Sequence, residues 1–122
     1  MKILIADDKP HMRRVIRGLL ESHPGWDVGE AEDGVQAVAR AKQDKPDVVV
    51  LDLVMPELNG FEAARQISSA LPGVPIFLNT LYASSQIERE AERFGVQRVI
   101  SKLHENQLVP AIEEALATGT PR

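Results

Sequence analysis

The sequence predicts an α/β fold in which a doubly wound parallel sheet of five strands is covered by helices on both faces. Short apolar runs alternate with helix-type patterns about five times along the chain. The run 48–51 consists of three valines and a leucine, which is typical of a central strand buried on both faces. The 122 residues suit one compact domain with a single hydrophobic core, and the absence of cysteine excludes a disulfide framework. We therefore expect one (βα)5 unit.

Each predicted strand is a short apolar run bounded by polar or turn-forming residues. The first run leads straight into Asp7 and Asp8, which is too soon for the core of a signal peptide or for a membrane span. It is therefore expected to be a buried strand. The five predicted strands cover residues 3–6, 26–31, 48–51, 75–79 and 97–100.

The first three predicted helices are marked by apolar residues three and four positions apart. The first helix can begin at Pro10, because proline is tolerated in a first turn. Asp33 with Gln36 resembles a capping box that opens the second helix, and Asn59-Gly60 precedes the third. The expected apolar positions are Met12, Val15, Ile16, Leu19 and Leu20 in the first helix, Val35, Val38 and Ala39 in the second, and Phe61, Ala64 and Ile67 in the third.

The last two helices follow the same pattern. Gly95 is placed to end the fourth helix with a positive φ, and Pro110 is tolerable only near the first turn of the fifth. The domain is expected to span residues 1–117, with 118–122 as a tail or linker stub. The expected apolar positions are Ile87, Ala91 and Phe94 in the fourth helix and Leu108, Ala111, Ile112, Ala115 and Leu116 in the fifth.

Charge and composition restrict the function classes. The formal net charge is −4, and lysine and arginine are spread along the chain, which argues against direct nucleic-acid binding by this domain. A DNA-binding or other output domain as a partner is not excluded by this. The absence of cysteine suits a reducing compartment, so we expect a cytoplasmic location with no membrane association.

Polar residues directly follow several of the predicted strands. Asp7 and Asp8 follow the first strand, Asp52 the third, Thr80 the fourth and Lys102 the fifth. In an open α/β sheet these positions all lie at the carboxyl edge, where ligands bind at a topological switch point. With the flavodoxin-like strand order 2-1-3-4-5, the first and third strands are neighbours. The three carboxylates are therefore expected to converge.

Three converging carboxylates predict a bound cation. Like charges in one cleft repel each other, and a divalent ion removes that cost. Oxygen-only ligands favour a hard ion, and an incomplete protein shell that keeps waters favours Mg²⁺ over Ca²⁺. An aspartate nucleophile also needs donors that hold the transferred oxygens, which Lys102 and Thr80 would supply. Each residue alone has an ordinary explanation as a loop or strand-end residue; the combination points to phosphoryl chemistry.

Over essentially its whole length, the sequence resembles the receiver domain of bacterial two-component response regulators. The residues that carry the resemblance are Ile3-Leu4-Ile5-Ala6-Asp7-Asp8, the segment from Val48 to Pro56, Asn59-Gly60, Thr80 and Ser101-Lys102.

The resemblance implies that Asp52 accepts a phosphoryl group from a phosphohistidine on a sensor histidine kinase or phosphotransfer protein. It implies that Asp7, Asp8, Asp52 and the backbone carbonyl of Val54 bind Mg²⁺, and that Thr80 and Lys102 engage the phosphoryl group. It also implies that phosphorylation alters the face made by the fourth helix, fifth strand and fifth helix. An output domain and a homodimer formed on phosphorylation are the further partners that it suggests.

Two positions depart from the pattern of that family. An aromatic residue usually lies three positions before the lysine, where this chain has Val99, which has no ring for the usual coupling to the threonine. A proline with a cis peptide bond usually follows the lysine, where this chain has Leu103. A cis bond before a non-proline residue costs about 3 to 4 kcal/mol, so we expect a trans bond or a strained loop here. Because Val54 and Tyr82 offer no acid or amide to orient water, we expect slow autodephosphorylation.

Two other classes of protein fit part of the pattern. A phosphatase or phosphotransferase that turns over through an aspartyl phosphate wants a second acid two positions after the nucleophile, where this chain has Val54. A binding module that keeps the fold without phosphorylation is the other alternative. Val99 and Leu103 favour it, whereas the suitable residues at all four chemical positions disfavour it.

Overall fold

The computed structural model describes residues 1–117, and the predicted tail 118–122 lies outside the described residues. All five strands run parallel in the order β2-β1-β3-β4-β5, so the predicted fold class and strand order are confirmed. The strand bounds differ from the predicted ones by at most one residue at either end. The strands are β1 Lys2–Ala6, β2 Asp27–Ala31, β3 Val48–Leu51, β4 Ile76–Thr80 and β5 Arg98–Ser101.

Five α-helices connect and follow the strands among the described residues. A 3-10 helix at Lys102–Gln107 lies between β5 and the last α-helix. No described helix is long and apolar enough to cross a lipid bilayer. The helices are α1 Pro10–Glu21, α2 Gly34–Asp44, α3 Gly60–Ala70, α4 Ser85–Arg93 and α5 Leu108–Ala117.

The hydrophobic core forms two layers, one on each face of the sheet. Val49 and Leu51 of β3 pack with residues of α2, α3 and α4. Val48 and Val50 pack with residues of α1 and α5. The alternation along β3 confirms the prediction of a central strand buried on both faces.

Side chains cap the N-termini of α2, α3 and α4. The Asp33 carboxylate accepts a hydrogen bond from Gln36 N at 2.8 Å, and Asn59 does the same for Glu62 N at 3.0 Å. The Gln36 side chain accepts from Glu32 N, one residue before the cap, so the reciprocal bond of a capping box is displaced by one position. Ser84 caps α4 by accepting from Ile87 N. These bonds satisfy donors that the helix itself leaves unpaired.

The apolar stripe predicted for α2 is wrong at two of its three positions. Val35 and Ala39 are exposed, and the buried face consists of Gly34, Ala37, Val38 and Ala41. Small residues are required because α2 packs closely on the loop before α3. A Cβ at Gly34 would lie 2.0 Å from the Leu58 carbonyl oxygen.

Another departure is Val15 of α1, which is exposed although it belongs to the predicted stripe. Ile16 and Leu20, four residues apart, form the buried ridge of that helix, and Val15 lies about 100° around the helix from Ile16. Gly95 has a φ of 84° after α4, and Pro110 occupies the first turn of α5, as predicted. The Lys102–Leu103 peptide bond is trans, also as predicted.

Candidate functional site

The carboxyl edge of the sheet holds Asp7 and Asp52 beside each other. Asp7 N donates to Ala31 O at 3.2 Å, and Asp52 N donates to Ala6 O at 2.9 Å. The sheet hydrogen bonds therefore continue one residue beyond β1 and β3. This ladder fixes both aspartates by their backbones, as expected from the strand order.

Three carboxylates meet at this edge. Asp7, Asp8 and Asp52 each offer an oxygen within 4.8 Å of the others, and Asp7 and Asp52 are 1% and 5% exposed. Asp7 Oδ1 accepts from Lys9 N at 2.9 Å. Asp8 Oδ1 is buried without a hydrogen-bond donor among the described residues, and Lys9 Nζ, at 3.7 Å, is too distant to serve as one. The cluster thus combines converging charge with an unsatisfied oxygen.

Lys102 joins two of these carboxylates. Its Nζ lies 2.7 Å from Asp7 Oδ2 and 3.2 Å from Asp52 Oδ2, and its side chain is 5% exposed. Burial would lower the pKa of the Lys102 ammonium, but its hydrogen bond to Asp7 and the two negative charges raise that pKa overall. One ammonium against three carboxylates leaves the cluster with an excess of negative charge.

The environment of Asp52 raises the pKa of its carboxyl group, whereas a simple ion pair with Lys102 would lower it. Burial raises the pKa of the Asp52 carboxyl, the Lys102 ammonium opposes this, and the charge of Asp7 adds to the upward shift. The net direction is upward. A buried carboxylate with a raised pKa among other charges is typical of functional sites.

Thr80 lies at the same edge, at the end of β4. It is fully buried, and its Oγ1 accepts a hydrogen bond from Tyr82 N at 3.1 Å. A hydroxyl that accepts with its oxygen keeps its own proton available to donate elsewhere. The site residue is thereby tied to the backbone of the loop that follows β4.

The loop after Asp52 is held against the strand by a glycine. Gly60 N donates to Leu53 O at 2.7 Å, and a Cβ at Gly60 would lie 2.3 Å from the Asp52 carbonyl oxygen. Glycine is therefore required for this close approach. Val54, whose backbone carbonyl was predicted to face a metal, lies within this closed loop.

The family model of the response regulator receiver domain matches residues 3–113. The chain belongs to this family. It is therefore a receiver domain of two-component signal transduction.

Individual relatives agree with the family. The receiver domain is 37% identical over 119 residues to Protein PilH of Pseudomonas aeruginosa, with 95% of this chain and 98% of PilH covered. It is 36% identical over 117 residues to the uncharacterized transcriptional regulatory protein YxjL of Bacillus subtilis, with 94% of this chain but 54% of YxjL covered. The crystal structure of a LuxR-family two-component response regulator from Aurantimonas sp. SI85-9A1 superposes with a TM-score of 0.90 at 34% identity, covering 96% of this chain and 85% of that one. The chain spans nearly all of one relative and about half of another.

The segments that follow β3, β4 and β5 of the receiver domain carry exposed apolar side chains. Val54, Leu81, Tyr82 and Leu103 are 54%, 58%, 62% and 76% exposed. Val99 is partly buried against the α2–α3–α4 layer of the core, so it fills space there and presents no ring to the surface.

None of the three histidines belongs to the acidic cluster. His11 and His104 are exposed. His23 stacks on Trp26 with ring centroids 3.8 Å apart, and its Nε2 lies 3.0 Å from Glu113 Oε2. Among the described residues, the acidic cluster is the only group of three side chains suited to a metal.

Two residues near the site were missed by the sequence analysis. Arg13 of α1 donates to the Asp7 carbonyl oxygen at 2.8 Å and to Glu30 at 3.0 Å, which ties the start of the site loop to β2. Asn79 of β4 is 1% exposed, and neither its amide nitrogen nor its amide oxygen has a hydrogen-bond partner among the described residues. In the sequence, Asn79 is a single polar residue at the end of the apolar run Ile76–Leu78, which gives no periodic signal of its burial.

Proposed function

We propose that this receiver domain accepts a phosphoryl group on Asp52 from a phosphohistidine of a sensor histidine kinase or phosphotransfer protein, in a reaction that requires Mg²⁺. The observation that carries the proposal is the convergence of three carboxylates around Asp52 together with the Lys102 ammonium at 3.2 Å. This arrangement supplies a nucleophile, a cation site and a phosphate-binding charge at one place.

The metal part of the proposal rests on the donors present. Asp7, Asp8 and Asp52 supply hard carboxylate oxygens, and the buried Asp8 Oδ1 without a donor is the atom that most needs a cation. The Val54 backbone carbonyl would complete the protein ligands. A bound Mg²⁺ would neutralise the negative charge of the incoming phosphoryl oxygens.

The chemical step is a transfer between two nucleophiles. A carboxylate oxygen of Asp52 forms a bond to phosphorus while the P–N bond of the phosphohistidine breaks. The electron pair of that bond stays on the imidazole nitrogen, and the ring leaves as neutral imidazole because its other nitrogen carries a proton. Lys102, already within reach of Asp52, would hold a phosphoryl oxygen by its charge.

Thr80 and Lys102 would transmit the phosphorylation of Asp52 to the surface of the domain. The phosphoryl group adds about 1.5 to 2 negative charges at the end of β3. The Thr80 hydroxyl would donate a hydrogen bond to the phosphoryl group and move towards it. Because Thr80 Oγ1 accepts a hydrogen bond from Tyr82 N, the movement of Thr80 would carry the β4–α4 loop with it. Lys102 would likewise draw the loop after β5. We expect the changed surface to be the face made by α4, β5 and α5, with Val99 contributing no aromatic switch.

The domain is proposed to act as a signalling phosphoacceptor without multiple turnover on small phosphate esters. Val54 is exposed two residues after Asp52 and supplies no acid or base for hydrolysis, so autodephosphorylation is expected to be slow. The relative YxjL is about twice as long as the alignment, which supports an output domain as one partner. A homodimer on phosphorylation and a cytoplasmic location stay predictions.

The test is incubation of the protein with acetyl phosphate and Mg²⁺, followed by mass spectrometry of the intact chain. We expect the mass gain of one phosphoryl group in the wild type and none in Asp52→Asn. Asp27→Asn, at the exposed start of β2, is the matched control and should be phosphorylated like the wild type. Absence of any gain, with this donor and with a histidine kinase, would contradict the proposal and favour a binding module.

A further inference from the structure

Asn79 is a buried polar residue that the proposed reaction does not use. Its side chain is 1% exposed and both of its amide atoms lack a partner among the described residues. Leaving a buried donor or acceptor unpaired costs about 1–3 kcal/mol, so such a residue is expected to gain a partner in another state of the molecule.

Strand register places Asn79 next to Asp52. Leu51 pairs with Leu78 across β3 and β4, so continuing the register by one residue sets Asp52 opposite Asn79. The faces also agree, because Val50 and Phe77 belong to one core layer, and residues two positions further along each strand lie on the same side. Asp7 occupies the matching position on the other side of Asp52. The order across the sheet edge is thus Asp7, Asp52, Asn79.

Lys102 must cross the end of β4 to reach its partners. Asn79 pairs with Ile100 of β5, and Lys102 follows Ile100 by two residues. Its ammonium nevertheless lies 3.2 Å from Asp52 on β3 and 2.7 Å from Asp7 beyond it. Since β4 lies between β5 and β3, the lysine side chain passes over the strand that carries Asn79.

The contact between Lys102 and Asp7 is in conflict with a cation on the same carboxylate. Both oxygens of Asp7 are already engaged, Oδ1 by Lys9 N and Oδ2 by the Lys102 ammonium, whereas Lys102 contacts Asp52 only through Oδ2. A cation on Asp7 therefore competes with the ammonium, while a cation on Asp52 can use the other oxygen. An ammonium has three donors, and Lys102 uses two of them, on Asp7 and Asp52. An ammonium that leaves Asp7 needs a replacement acceptor close to Asp52.

We propose that Asn79 is a positioning residue for Lys102: its amide oxygen accepts a hydrogen bond from the Lys102 ammonium when Mg²⁺ occupies Asp7, Asp8 and Asp52. The lysine keeps Asp52 as a partner and exchanges Asp7 for Asn79. This exchange satisfies the unpaired amide oxygen and keeps the ammonium where a phosphoryl group on Asp52 would lie. The inference rests on the proposed metal site.

The test is a double-mutant cycle on Mg²⁺ affinity, measured by calorimetric titration of the unphosphorylated protein. Asn79→Leu removes the amide and keeps a side chain that branches at Cγ, and Lys102→Met removes the ammonium. In the background with Lys102, we expect Asn79→Leu to weaken Mg²⁺ binding about tenfold, because one hydrogen bond to a charged group is lost from the bound state. In the Lys102→Met background, Asn79→Leu should leave the affinity unchanged. A purely structural role of Asn79 would not produce this dependence on Lys102.

Thermal unfolding without metal provides the control for folding. Asn79→Leu should unfold at the wild-type temperature or above it, since it replaces an unpaired buried amide by an apolar side chain. Equal Mg²⁺ affinity of Asn79→Leu and wild type, or equal weakening in both backgrounds, would overturn the role of Asn79. Failure of the wild type itself to bind Mg²⁺ would overturn the proposed metal site, and this inference with it.

Discussion

Replacement of Lys102 by methionine tests the electrostatics of the site most sharply. The change removes an ammonium that lies 2.7 Å from Asp7 and 3.2 Å from Asp52, and leaves a side chain of similar length. The two carboxylates are 1% and 5% exposed, so water cannot replace the lost cation without a rearrangement. We therefore expect a less stable metal-free protein.

The size of the effect follows from the burial of the partners. Removing one partner of a buried ion pair costs about 3–5 kcal/mol, and we take the lower end because Asp8 leaves the cluster partly open to solvent. For a domain of this length, about 3 kcal/mol corresponds to a fall of roughly 12 °C in Tm. A domain with a total stability of about 5–15 kcal/mol survives such a loss.

The assay is thermal unfolding by circular dichroism with and without Mg²⁺. Mg²⁺ should raise the Tm of Lys102→Met more than that of the wild type, because the cation takes over the role of the missing ammonium. Lys42→Met, at an exposed position of α2, is the control and should change the free energy of unfolding by less than about 1 kcal/mol. A metal-free Tm of Lys102→Met equal to that of the wild type would refute the reasoning. So would an equal response of both proteins to Mg²⁺.

Three further predictions concern the scaffold. Gly60→Ala should slow phosphorylation by acetyl phosphate and lower the Tm, because the new Cβ would lie 2.3 Å from the Asp52 carbonyl oxygen. The control Gly18→Ala has nothing within 4 Å of its new Cβ and should raise the Tm without changing the rate of phosphorylation. Equal rates and Tm values of the two variants would contradict this. Burial alone would raise the pKa of Glu30, but hydrogen bonds from two arginines of α1 lower it, so the stability that it adds is present above the unfolded pKa of about 4.3 and is lost as the pH falls through the lower folded value. Urea unfolding should therefore show a smaller loss of stability in acid for Glu30→Gln than for the wild type, and identical pH profiles would speak against it. Asp33→Ala should cost about 1 kcal/mol by loss of the cap of α2, as measured by the urea midpoint, and an unchanged midpoint would mean that the cap is dispensable.

Much of the site was predictable because parallel strands end at a common edge. Asp7 and Asp52 each follow an apolar run, and their juxtaposition needed only the strand order. Thr80 and Lys102 followed by the same argument. The ion pairs of Lys102 and the hydrogen bond of Thr80 could not be predicted in this way, since they depend on how the side chains run across neighbouring strands.

The wrong prediction for α2 and the omission of Asn79 have a different physical origin. Val35 and Ala39 fit a helical period, yet α2 buries its small residues because Gly34 and Leu58 approach closely. Periodicity identifies an apolar face but not how near the partner backbone comes. Asn79 was passed over because a single polar residue within an apolar strand carries no periodic signal, and its burial becomes evident only in the folded chain.

The central claim is that Asp52 accepts the phosphoryl group, and the direct test is to locate the modified residue. The protein is incubated with acetyl phosphate and Mg²⁺ and treated with borohydride, which reduces an aspartyl phosphate to homoserine. Its peptides are then sequenced by mass spectrometry. We predict homoserine at position 52 and unmodified aspartate at Asp7 and Asp8. Homoserine at either of those two positions, with Asp52 unmodified, would contradict the account.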